Sequence, residues 1–90
     1  MSATVQPEPM MTHNILRLPA VKASTGLSRS TIYQRISQGL FPKPVSLGAR
    51  AVGWPASEIA ALNAARIAGK YNSEIRDLVG KLEASRNIGR

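Results

Sequence analysis

The sequence predicts a mainly α domain built around one small β-hairpin, and three observations lead there. Gly26, Gly39 and Gly69 close off short segments that carry apolar residues at helical spacing. Pro42 and Pro44 forbid helix in the stretch between the second and third of those segments. Val45-Ser46-Leu47 and Ala51-Val52-Gly53-Trp54 are β-prone runs on either side of Gly48-Ala49-Arg50.

Residues 1–14, with Pro7, Pro9 and few large apolar groups, are expected to form a flexible N-terminal arm. The domain proper is expected over residues 15–69, beginning at Ile15-Leu16. A first helix fits Pro19–Thr25, because proline suits the opening helical position and Gly26 can take the left-handed conformation that ends a helix. Ser28 is the expected N-cap of a second helix that Gly39 closes. Only Gly26-Leu27-Ser28 separates the two, which makes them a helix-turn-helix.

The hairpin follows, with a glycine at its bend. Pro55 then opens a third helix to about Ala68, in which Ile59, Leu62 and Ala65 face inward, while Trp54 is a bulky core plug. Residues 70–90 form a C-terminal segment with a fourth helix over Ser73–Ser85, capped by Asn72 or Ser73. Its Ile75, Leu78, Val79 and Leu82 fall at i, i+3, i+4 and i+7, so one stripe is apolar. Two fates fit that stripe: packing on its own domain, or self-association and contact with a partner protein.

Composition narrows the function. There is no cysteine, so neither a disulfide framework nor a thiolate metal site is expected. His13 is the single histidine and has no carboxylate cluster beside it, so no metal or other cofactor is expected. With five carboxylates in the chain, a triad or a paired-carboxylate mechanism has nothing to work with, and Gly48–Gly53 lacks the lysine of a phosphate-binding loop. The expectation is a protein that is not an enzyme. No run reaches the length of a membrane span and the N-terminus lacks a secretory pattern, so the expected location is the cytoplasm.

Charge says more. The net charge is +7, and between Pro9 and Ser57 stand six basic residues (Arg17, Lys22, Arg29, Arg35, Lys43, Arg50) with no acidic one. A field of one sign attracts polyanions. The second helix concentrates this trend. Ile32 and Ile36 form a narrow inward stripe; Ser30, Gln34, Ser37 and Gln38 cover the opposite side; Arg29 and Tyr33 lie on one flank, Thr31 and Arg35 on the other. A helix entering the DNA major groove needs donors for base edges and phosphates, and carboxylates there would be repelled. Arg29 and Gln34 have the fork geometry for guanine and adenine edges, Ser30 and Tyr33 can reach bases or phosphates, and Ser28 at the helix N-terminus suits a phosphate. The plain alternative is a solvated helix whose acids happen to be missing.

A hairpin directly after a helix-turn-helix makes a wing, and Arg50 at its tip suits a phosphate strand or the minor groove. The alternative is a structural hairpin with Arg50 in solvent. Lys43, in the linker, is a further candidate for the DNA backbone.

The ordered motifs Ile15-Leu16-Arg17-Leu18-Pro19-Ala20-Val21, Thr25-Gly26-Leu27-Ser28-Arg29-Ser30-Thr31-Ile32-Tyr33, Gly39-Leu40-Phe41-Pro42-Lys43-Pro44-Val45, Leu47–Trp54 and Ser57-Glu58-Ile59 resemble the AlpA family of phage and prophage regulators, over about residues 15–68. The resemblance implies a winged helix-turn-helix of the MerR and excisionase kind, with Ser28, Arg29, Ser30, Tyr33, Gln34, Arg35 and Arg50 at the matching DNA-contact positions and the bacterial nucleoid as its place of action. Gln34 stands where a basic residue is common in the family, and Pro55 follows the tryptophan where a charged residue is usual.

The expected function is a sequence-specific, DNA-binding transcriptional regulator, acting positively at initiation or elongation on a prophage-like or stress-linked operon, with RNA polymerase as protein partner. A second reading is a recombination directionality factor that bends DNA beside an integrase. A third, RNA binding, is disfavoured because single-strand readers need aromatic platforms and the chain has four aromatic residues, two of them expected in the core.

Overall fold

The computed structural model describes residues 14–86. In chain order the elements are β1 (Ile15–Leu16), α1 (Leu18–Thr25), α2 (Arg29–Ser37), β2 (Val45–Gly48), β3 (Ala51–Pro55), α3 (Ala56–Ile67) and α4 (Asn72–Ser85). The expected arm falls outside the described residues, His13 included, except for Asn14, whose carbonyl accepts a 2.8 Å hydrogen bond from the Ala56 N–H.

The helix-turn-helix forms where the turn residues call for it. Gly26 ends α1 at φ 74°, in the left-handed region, and its N–H donates to the Lys22 carbonyl. Ser28 then sits in extended backbone as the N-cap of α2, and its hydroxyl accepts the Thr31 N–H at 3.2 Å. Ile32 is fully buried and Ile36 packs at the edge of the core, as their spacing requires.

The sheet is larger than the hairpin expected from sequence. Its strand order is β1-β3-β2, all antiparallel, with Ile15 opposite Pro55 and Leu16 opposite Trp54. The two residues of β1 are too few to show alternation, and their partner lies about forty positions away, so no local pattern announces the pairing. Gly53 permits it: a Cβ there would collide with Ile15 Cγ2 and approach the Leu16 carbonyl oxygen to 3.0 Å. Between β2 and β3, Val45 pairs with Gly53 and Ser46 with Val52, after which a register shift at Leu47 brings Gly48 opposite Ala51.

One core serves the four helices, β1 and β3. Val21, Ile32, Leu40, Phe41, Trp54, Ile59, Leu62, Ile75 and Val79 form a single buried cluster. Trp54 is its centre: both Tyr33 and Phe41 meet it edge-on, with ring centroids at 6.3 and 6.2 Å. The indole N–H is satisfied by the Pro42 carbonyl at 2.8 Å, so the residue that plugs the core also pins the linker.

One expectation about α4 is corrected, and one of the two fates that fit its stripe is observed. Tyr71 occupies the N-cap position, not Asn72 or Ser73; the Glu74 carboxylate reaches back to the Tyr71 N–H at 2.9 Å, while the Asn72 side chain accepts from Arg66. The apolar stripe packs on its own domain, the first of its two expected fates. Ile75 is fully buried and Val79 nearly so within the chain's own core, leaving only Leu78 and Leu82 half-exposed. The physical reason is that the core of so small a domain is incomplete without a covering helix. Among the described residues no helix is long and apolar enough to cross a membrane.

Candidate nucleic-acid interface

The outward face of α2 carries Arg29, Ser30, Gln34, Ser37 and Gln38, all exposed. The described carboxylates stand elsewhere: Glu58 is buried on α3, and Glu74, Asp77 and Glu83 belong to α4. The outward face of α2 is therefore free of carboxylates among the described residues.

Hydroxyls crowd the N-terminus of α2. Ser28 Oγ, besides capping the helix, donates to Thr31 Oγ1 at 3.0 Å and lies 3.4 Å from Ser30 Oγ. With the Thr31 N–H taken by the Ser28 cap, the N–H groups of Arg29 and Ser30 are those without intrahelical partners. Farther along, Ser37 turns its hydroxyl back to the Gln34 carbonyl at 2.6 Å, so it is occupied by its own helix. The Gln34 side-chain amide makes no hydrogen bond to the described residues.

Arg29 is held in place by the helix itself. Its guanidinium carbon lies 5.4 Å from the ring centroid of Tyr33, one turn on, in cation–π contact. Tyr33 is 37% exposed and rests its other side against buried Trp54. A line of contacts thus runs from Phe41 through Trp54 and Tyr33 to Arg29, and it fixes a charged fork at the surface by rooting it in the core. Because stacking uses the ring face and leaves the N–H groups free, Arg29 keeps its donors for a partner.

The wing tip is the turn Ala49-Arg50 between β2 and β3. Arg50 is exposed and, among the described residues, is the one non-glycine residue with positive φ, at 61°. It stands four residues along β3 from Trp54, about 13 Å at the rise of a strand. The structure does not bring Arg50 against the α2 residues; helix and wing tip are separate parts of the surface. Lys43 keeps an exposed side chain, but its backbone is bound on both sides: its N–H donates to Glu83 Oε2 at 2.8 Å and its carbonyl accepts from Arg86 Nη2 at 2.7 Å. Arg35 is half-buried on the flank of α2 and does not share the open setting of Arg29.

Sequence reasoning did not single out Arg17. It stands at the N-cap of α1, and its Nε donates to the Val52 carbonyl at 3.0 Å, which places a further exposed cation beside the wing. The signal available was its place in the stretch without acids; the contact joins residues 35 apart in sequence and has no local signature.

Two helices joined by a tight turn, a β wing after them and a third helix closing the core define a winged helix-turn-helix domain. Residues 14–67 match the model of the family described as prophage CP4-57 regulatory protein (AlpA). The chain belongs to that family. It is 54% identical over 55 residues to "Uncharacterized protein ORF88" of Enterobacteria phage P4, a match that covers 61% of this chain and 62% of the phage protein. It is 45% identical over 51 residues to "DNA-binding transcriptional activator AlpA" of Escherichia coli strain K12, covering 50% of this chain and 73% of that protein. The chain therefore spans less than two thirds of the length of the phage relative. No solved structure matches it. The family match stops at residue 67, so α4 lies beyond it.

Proposed function

We propose that the chain is a sequence-specific DNA-binding regulator of transcription that acts positively, with RNA polymerase as its protein partner. The observation that carries this reading is the outer face of α2. Arg29, Ser30 and Gln34 are exposed there, and no carboxylate stands on the helix. In this reading α2 lies in the major groove, Arg29 and Gln34 read base edges, the hydroxyls of Ser28, Ser30 and Thr31 with the uncapped N–H groups at the helix start hold a phosphate, and Tyr33 orients Arg29. Arg50 meets the backbone or the minor groove one wing-length away, with Arg17 beside the wing at Val52 and Lys43 at its base. Positive action is supported by the printed name of the Escherichia coli relative.

The test is a genome-wide map of where the protein sits in its own cells, with RNA polymerase mapped alongside. A promoter-proximal peak with polymerase gained downstream is the expected result. Clustered peaks at the end of a prophage with no change in transcripts would assign the protein to excision beside an integrase instead. An absence of DNA peaks would overturn both.

A further inference from the structure

One arginine of α4 reaches out of its own helix to the end of α2. Arg76 donates from Nε to the Gln38 carbonyl at 3.0 Å, across 38 residues of sequence. Its stem runs past Gly39, with Cγ and Cδ 3.7 and 3.8 Å from where a Cβ on that glycine would stand. Arg76 and Gln38 are both exposed. Gln38 ends the polar outer face that begins at Arg29, so the Arg76 guanidinium is held at the edge of that face.

Capping of α2 does not account for the contact. The Gln34, Arg35 and Ile36 carbonyls already accept from the N–H groups of Gln38, Gly39 and Leu40. Arg76 reaches the next carbonyl, just past the helix, and that bond is the one its guanidinium makes among the described residues. No carboxylate holds the side chain either: among the described residues the only ion pair is Arg86 with Glu58. Glu83, two turns along the same face of α4, is bound to the Lys43 N–H. One edge of the guanidinium is thus fixed by the protein, while Nη1 and Nη2 keep the paired donors that a phosphate accepts bidentately.

A bound duplex gives that fork a use. The N-terminus of a helix favours a phosphate, whereas the C-terminus carries about half a negative charge and repels one. From Ser28 to Gln38 is about 15 Å at the rise of a helix, and the major groove is about 12 Å wide. A helix of that length laid across the groove meets a phosphate strand at each end. The hydroxyls of Ser28, Ser30 and Thr31 serve the first strand; the second meets carbonyls unless a cation stands between. Arg76 stands there, and its full positive charge outweighs the partial charge of the helix end. We propose that Arg76 binds one phosphate of duplex DNA at the C-terminal end of α2 through Nη1 and Nη2, while Nε keeps the fork in place on Gln38. This inference rests on the reading of α2 as the DNA-contacting helix. It extends the interface to α4, which lies beyond the residues that match the family.

Duplex affinity is to be measured by anisotropy of a short labelled random-sequence duplex over a series of salt concentrations, for the wild-type chain, Arg76→Gln and Lys81→Gln. Each phosphate contact contributes about 0.9 to the slope of log affinity against log salt, so Arg76→Gln should lower the slope by about that amount. Lys81 is exposed on the same helix, about 140° round from Arg76. Lys81→Gln removes an equal charge away from the seat and should leave the slope as it is. An unaltered slope for Arg76→Gln, with duplex binding intact, makes Arg76 a helix cap; it overturns the seat and leaves the proposed function standing. An equal loss in Lys81→Gln also overturns it, since net charge and not position then sets the slope. A wild-type chain that binds no duplex removes the function and the seat together. A second measurement needs no variant. The Nη resonances of Arg76 in the wild-type chain, averaged by rotation when free, should separate when duplex is added, because a bidentate phosphate stops that rotation. Resonances that stay averaged with duplex bound contradict the proposal.

Discussion

Arg86 closes on Glu58 with both arms of its guanidinium, Nη2 to Oε1 at 2.6 Å and Nε to Oε2 at 2.9 Å, across 28 residues of sequence. Glu58 is 5% exposed and is the one charged residue inside the core of the described chain. Its hydrogen bond is the main reason that the Arg86 guanidinium is held above the ordinary arginine range. Since Arg86 also donates to the Lys43 carbonyl, and Glu83 accepts from the Lys43 N–H, the last turn of α4 ties α3 to the linker that leads into the wing. Arg86→Met leaves a buried carboxylate without its partner, and should lower stability by about 3 kcal/mol. Urea unfolding followed by circular dichroism checks this; Glu58→Gln, which removes the charge but keeps an amide, should cost less.

The N-cap of α2 gives a second prediction. Ser28→Ala removes the acceptor of the Thr31 N–H and the donor to Thr31 Oγ1. The expected loss is about 1 kcal/mol, whereas Ser28→Gly should lose only a few tenths. For a domain of this size that is a fall of roughly 4–8 °C in Tm for the alanine variant.

Gly53→Ala tests the close approach of β1 to β3. The added methyl meets Ile15 Cγ2, Leu47 Cδ1 at 3.1 Å and, less yielding than either, the backbone oxygen of Leu16 at 3.0 Å. Side chains can turn aside but the strand pairing must open, so destabilisation of about 1–3 kcal/mol is expected. Faster amide exchange at Leu16 and Trp54 relative to the helices would show that the pairing has loosened; unaltered exchange would contradict the account.

The two proposed points of DNA contact should behave differently. Arg29→Ala should weaken binding to the specific site by about 1–3 kcal/mol, with little effect on random sequence, as expected for a base contact. Arg50→Ala should weaken binding evenly across sequences and flatten the salt slope by about one unit. Both are checked on the site recovered from the genomic map, at matched salt. A selective loss at one base pair for Arg50→Ala would reverse the roles.

The course of the backbone was legible where single residues dictate conformation. Gly26, Ser28, Pro42, Pro44 and the glycine at the hairpin bend each act within a few positions, so the helix-turn-helix and the hairpin could be placed without tertiary information. Arg29, Ser30 and Gln34 were legible because a helix of known phase turns spacing into direction. What stayed hidden depends on contacts between distant positions. β1 owes its existence to Trp54 and Pro55; the Glu58–Arg86 pair and the Arg17–Val52 contact join residues 28 and 35 apart. The stripe on α4 was visible, but periodicity says only that one face is apolar and not what covers it.

The way Trp54 is seated has a spectroscopic consequence. It is the single tryptophan of the chain, fully buried, with its indole N–H bound to Pro42 and two aromatic rings at its edges. The protein thus contains its own fluorophore at the joint between helix pair, linker and hairpin. Its emission should be blue in the folded state and move to the red as the core opens. Light absorbed by Tyr33, 6.3 Å away, should be passed to it, so that ring brings the outer surface of α2 into the same optical signal. Unfolding of this domain, and any partner that reorients Tyr33, should be readable from unlabelled protein in a cuvette.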